Sequence, residues 1–73
     1  MTELEIKAYC NRMAKAKGCS VEIDDYQVRS GSISFKVRLL KRGLKAVEPI
    51  TLFTNLHLEN QLDTRFGSIL ATV

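Results

Sequence analysis

Residues 20–41, "SVEIDDYQVRSGSISFKVRLLK", admit very few arrangements. Ile33, Phe35, Val37 and Leu39 alternate with Ser34, Lys36, Arg38 and Leu40, the period of a strand with one apolar face. In residues 20–29, Val21 and Ile23 alternate, as do Tyr26 and Val28, but the two pairs are out of phase. One extra residue at Asp24–Asp25 restores the phase, as a β-bulge does. Ser30–Gly31 supplies a two-residue turn. That turn sets Val28 against Ile33 and Tyr26 against Phe35. Beyond the bulge, Ile23 meets Val37 and Val21 meets Leu39. The same register brings Glu22 opposite Arg38 and Asp24 or Asp25 near Lys36. One pairing therefore satisfies both the apolar face and the charges, which predicts a β-hairpin over 20–40.

A hairpin alone is marginal in water and needs a cover. Residues 2–17 can supply it as a helix. Thr2 and Glu5 form a capping box, and Ile6, Tyr9, Cys10, Met13 and Ala16 fall on one stripe. Gly18 suits a left-handed terminus, and Lys15 and Lys17 suit the helix dipole. "KRG" at 41–43 reads as a second turn, with Gly43 at a positive φ. Residues 50–56 read as a further strand, with Pro49 marking an edge or a first residue. A helix over 52–66 competes there, because Leu58, Leu62 and Phe66 recur every four residues. "SILATV" suggests a short final strand. The expected fold class is α+β: an N-terminal helix packed on an antiparallel sheet of three to five strands. All of 1–73 forms one small domain, since 73 residues leave no room for a second.

The composition is 45% hydrophobic and 26% charged, which is globular rather than disordered. The net charge of +3 is mildly basic. No apolar run is long enough to span a membrane, and the N-terminal "MTELEIKAYC" lacks the pattern of a secretory signal. A cytoplasmic location with Cys10 and Cys19 reduced is the expectation. Two cysteines and His57 make three metal ligands at most, at no zinc-site spacing, so no metal or cofactor is expected.

Chemistry-bearing patterns are few. Adjacent Asp24 and Asp25 point to opposite faces of a strand, whereas acid–base work needs two carboxyls facing one substrate. His57 has no Ser or Cys at a recognisable distance, and the glycines form no phosphate loop. No enzymatic activity is expected.

A helix followed by three strands resembles, in element order, the double-stranded-RNA-binding domain. That family carries its basic run at the start of its last helix. Here residues 49–58 read "PITLFTNLHL", with no Lys or Arg, and no site residue is carried over.

What remains is a set of surfaces. Lys36 and Arg38 have acidic neighbours across the hairpin, which leaves Lys41, Arg42 and Lys45 at the second turn and Arg29 at the opposite end. Leu40 and Phe53 are expected to point away from the helix-covered face, as exposed apolar residues beside the basic turn. Apolar anchors ringed by charge are a common form of interface core. The expected function is a non-enzymatic module binding another protein, as an adaptor or small inhibitor, through Arg29, Leu40, Lys41, Arg42, Lys45 and Phe53. The alternative is nucleic-acid binding through the basic turn 41–45. A homodimer is compatible with either.

Overall fold

The computed structural model describes residues 1–72. Its elements are α1 (Glu3–Ala16), β1 (Ser20–Arg29), β2 (Ser32–Lys41), β3 (Leu44–Phe53) and α2 (Leu58–Thr72). The strands form one antiparallel sheet in the order β1-β2-β3, so β2 is central and the other two are edges.

α1 begins at the expected capping box. The Glu5 N–H donates to Thr2 Oγ1 at 3.2 Å, and the Thr2 N–H donates to Glu5 Oε1 at 3.0 Å. It ends at Gly18, whose φ is +72°. The Gly18 N–H donates to the Lys15 carbonyl and the Cys19 N–H to the Ala14 carbonyl, which satisfies two otherwise orphaned acceptors. Ile6, Cys10 and Ala14 are buried, with Tyr9 and Met13 packed beside them. Ala16 is exposed, against expectation. At 100° per residue it lies about 120° around the helix from the centre of the buried row, and Ala14 takes its place.

The β1–β2 register is the one that the apolar and charge patterns select together. Val21 pairs with Leu39, Glu22 with Arg38, Ile23 with Val37, Asp24 with Lys36 and Val28 with Ile33. Pairing jumps between Asp24 and Gln27, so Asp25 and Tyr26 stand together opposite Phe35. Asp25 adopts φ +55°, a left-handed conformation that Asp tolerates better than most residues. The extra residue returns Tyr26 to the apolar face, where its ring stacks on Phe35 at a centroid distance of 6.3 Å. Val28 is on the same face yet 66% exposed. Ten-residue strands run about 33 Å and helices of this length about 21 Å, so the sheet outruns its cover.

The second half departs further from expectation. β3 starts at Leu44, six residues before the expected 50, because the turn is only Arg42–Gly43, at φ +52° and +82°. Two positive φ values mark the tight mirror-image turn that matches strand twist. β3 stops at Phe53, and residues 68–72 of the expected final strand "SILATV" belong to α2, while its last residue, Val73, lies outside the described residues. The four-residue recurrence wins: Leu62, Phe66 and Leu70 are buried on one row, with Leu58 beside them.

Both helices cover the same face. Tyr9 Oη donates to Asp63 Oδ1 at 2.6 Å, and Met13 lies against Gly67. These two points are a turn apart on each helix, so α1 and α2 run parallel. The core is one cluster in which Ile6, Val37, Leu39, Leu52, Leu62 and Phe66 are fully buried. Among the described residues no helix covers the other face of the sheet.

Candidate partner-binding surface

The uncovered face shows the alternate residues of each strand. On β2 these are Ser34, Lys36, Arg38 and Leu40. The two central cations are engaged within the sheet. Arg38 Nη2 lies 2.7 Å from Asp24 Oδ2 and its Nη1 lies 3.9 Å from Glu22. Lys36 Nζ lies 3.5 Å from Asp25. Arg38 thus leans on a diagonal neighbour more closely than on Glu22, its direct partner.

Leu40 is next on β2, 43% exposed and opposite Lys45. Val47, opposite Arg38, is its diagonal neighbour on the same face and is 56% exposed. Leu44, on the helix side but past the helices, is more exposed still. Arg42 and Lys45 are exposed around them, and Lys41 is half-buried. A shallow depression beside Leu40 is lined by Ser20, Glu22, Arg38 and Lys45.

Phe53 is elsewhere. It pairs with Ser32 at the far end of β3, eight residues from Lys45 and so about 27 Å along the strand. Its ring is on the uncovered face, with the Arg65 guanidinium of α2 5.5 Å from the centroid. Gln61 holds its backbone: the Phe53 N–H donates to Gln61 Oε1, and Gln61 Nε2 donates to the Phe53 carbonyl, both at 2.8 Å. Arg29 pairs with Ser32 and so belongs to this end too, its guanidinium donating to Gln27 Oε1.

The six expected partner residues therefore separate into two groups. Leu40, Lys41, Arg42 and Lys45 gather at the second turn. Arg29 and Phe53 sit at the first, so Phe53 is not beside the basic turn. Val47 and Leu44 join the first group and were hidden in the sequence by the late start given to the third strand. The tight-turn pair Arg42–Gly43 is the signal that would have revealed them.

Charge divides along the same axis. Ser20 pairs with Leu40, so the end of α1 with Lys15 and Lys17 lies toward the second turn. Glu3, Glu5 and Glu59 lie on the opening turns of α1 and α2, toward the first, with Asp63 one turn further along α2.

Other groups have structural roles. Cys10 and Cys19 are free and buried. Burial pushes the Cys10 thiol up to about 12, far from reactive thiolate. His57 is exposed in the loop before α2, not in a strand. Among the described residues no group of three or more His, Cys, Asp or Glu is placed to hold a metal ion, and no helix is long and apolar enough to cross a membrane.

No protein family, curated protein or solved structure matches the chain. With α2 present, the order helix, three strands, helix extends the resemblance to double-stranded-RNA-binding domains in element order alone. The first two turns of α2 carry Glu59 and Asp63 and no Lys or Arg before Arg65, so the family's basic run is lacking here too.

Proposed function

We propose that this chain is a small non-enzymatic binding module of the cytoplasm that occupies a surface of another protein, as an adaptor or inhibitor. One observation carries the reading: Leu40 and Val47 are exposed side by side on the uncovered face at the β2–β3 tip, beside Arg42 and Lys45, with Leu44 exposed on the other face of the same tip. Two large apolar side chains exposed side by side, with a third across the same tip, exceed the scattered singles of an ordinary surface. Their cationic rim favours a partner with an acidic margin, which speeds encounter and sets orientation.

Nucleic-acid binding through 41–45 is the second reading, favoured by Lys15 and Lys17 lying toward the same end. Against it stand the paired Lys36 and Arg38, and the lack of a stacking platform. Tyr26 is packed on Phe35, and Phe53 lies beneath Arg65.

Affinity capture from the native host, with and without nuclease, separates the two when run with Leu40→Ala, Val47→Ala and Arg42→Glu. The protein reading expects a partner that survives nuclease and is lost with either apolar variant, each anchor being worth about 2 kcal/mol. Tight binding of random duplex by the purified chain, abolished by Arg42→Glu and indifferent to Leu40→Ala, would reverse the assignment. Three phosphate contacts would give that binding a log–log salt slope of about −2.7.

A further inference from the structure

The β3 edge is blocked along most of its length and open at one short place. Lys41 and Leu44 flank a two-residue turn, so they exchange both backbone hydrogen bonds. Alternation then turns the N–H and C=O groups of Leu44, Ala46, Glu48, Ile50 and Leu52 toward β2. Those of Lys45, Val47, Thr51 and Phe53 face outward. Two observations agree with this parity. Pro49, which has no N–H, falls on an outward position, where the ladder loses nothing. The Thr54 N–H, an inward position, donates to the Gly31 carbonyl at 3.1 Å.

The outward positions are not equivalent. Gln61 occupies both backbone groups of Phe53, its side-chain amide standing where a neighbouring strand's peptide would. Pro49 offers no donor. Thr51 is flanked by these two stops, and Thr64, Arg65, Ser68 and Ile69 of α2 line the surface beside it. Only Lys45 and Val47 present complete, consecutive pairs of outward N–H and C=O groups. Such a pair is a template for another strand. They coincide with the exposed Leu44 and Val47 side chains and the Arg42 and Lys45 cations.

We infer that Leu44–Glu48 is a docking edge at which an extended, acid-flanked segment of a partner adds as a fourth strand, antiparallel or parallel to β3. The inference rests on the protein-binding reading and specifies how the partner is held. Backbone bonds to Lys45 and Val47 supply the grip, and side chains beside Val47 and Leu44 supply fit. Charge selects the occupant. Arg42 and Lys45 stand exposed at this edge, and an acid-flanked segment would neutralise them.

The probe is a short synthetic peptide with a central Val/Thr alternation flanked by glutamates. Its counterpart flanked by lysines is the control. In the free protein, amide exchange should be fast at Lys45 and Val47 and slow at Ala46 and Glu48. The glutamate-flanked peptide should bind, protect Lys45 and Val47, and bind better than the lysine-flanked one. Val47→Pro removes an N–H that the sheet does not use, so its denaturation midpoint should stay near wild type. It should weaken peptide binding about tenfold or more, and by more than Val47→Ala does.

Binding with Lys45 and Val47 amides still exchanging freely, or with the proline and alanine variants equal, would overturn strand addition while leaving the apolar surface as the contact. Failure of the wild-type chain to bind the peptide would overturn it as well. A nuclease-resistant partner lost with Leu40→Ala would still uphold the broader reading. Self-association with those amides already protected in the free protein would assign the edge to a second copy and overturn the acidic partner. The wild-type exchange pattern decides the matter even if Val47→Pro does not fold.

Discussion

At the scale of single residues, a few positions fix where elements start and stop. Thr2 is one. Replacing it with Ala removes the side-chain half of the capping box, the bond that Oγ1 accepts, and keeps the backbone N–H that Glu5 accepts, at a cost of about 1 kcal/mol, read as a shift in the denaturant midpoint. The Glu5 half of the box has a pH signature. The Glu5 carboxylate accepts the Thr2 backbone N–H, which holds its pKa below the ordinary carboxylate value. A lowered folded-state value gives stability that is present above the unfolded value and lost as pH falls through the folded one. Wild type and Glu5→Ala should therefore converge in stability on acidification through that window, and parallel curves would exclude the Glu5 bond as its origin. Cys10 makes a second residue-scale test. With its thiol pushed up to about 12 by burial, it should resist alkylation at neutral pH and react only on unfolding. Rapid labelling under native conditions would contradict the packing.

At the scale of elements, the β1–β2 pair is held by apolar register on one face and by charge on the other. Arg38 bridges Asp24 and Glu22, and all three side chains are substantially exposed, so each link is worth a few tenths of a kcal/mol to about 1. Glu22→Lys should destabilise modestly, and adding Arg38→Glu should recover part of the loss. Asp24→Ala should cost more than Glu22→Ala because its oxygen is the nearer. Double-mutant cycles from denaturant midpoints measure both couplings, and strict additivity would remove the pairing. Gln61 is the corresponding device for β3 and α2. It seals the end of one edge and joins a strand terminus to the first turns of the last helix.

At the scale of the whole molecule, the two helices and the sheet share one core, to which every element contributes a buried side chain. Phe66 and Leu62 of α2 are fully buried beside Val37 and Leu52 of the sheet and Ile6 of α1. Stability for a chain of 73 residues is roughly 4–11 kcal/mol. Phe66→Ala, at about 3–5 kcal/mol, should remove much of it and leave the chain largely or partly unfolded at 37 °C, visible by circular dichroism. Retention of a wild-type melting transition would mean that α2 is an accessory to the fold. The arrangement also sorts the chain's chemistry by end. Arg42, Lys45 and the exposed Leu40, Leu44 and Val47 lie at the β2–β3 tip, while the acidic first turns of the helices, with the exposed Val28, Phe53 and Leu56, lie toward the other end. A partner approaching the tip meets attraction from Arg42 and Lys45 before any contact forms.

Local periodicity determined the first forty residues almost completely. A hairpin whose apolar and charged faces demand the same register leaves no alternative. A capping box and a glycine stop delimit a helix without help from the rest of the fold. The bulge at Asp24–Asp25 was legible because a strand's period of two makes any slip visible. The second half was decided by tertiary structure. Leu44–Glu48 lacks clean alternation because an overhanging edge strand has no continuous core to face, so β3 showed itself only from Ile50 onward. Residues 58–72 fit helix and strand patterns alike until Leu62, Phe66 and Leu70 found one groove over the sheet. The candidate surface follows the same division. Leu40, Arg42 and Lys45 could be named from strand parity and charge. Their union with Val47 and Leu44, and the distance to Phe53, depend on which strands lie side by side and how far each runs past its helices. A single sequence does not encode those relations locally, because they are set by packing between segments distant along the chain.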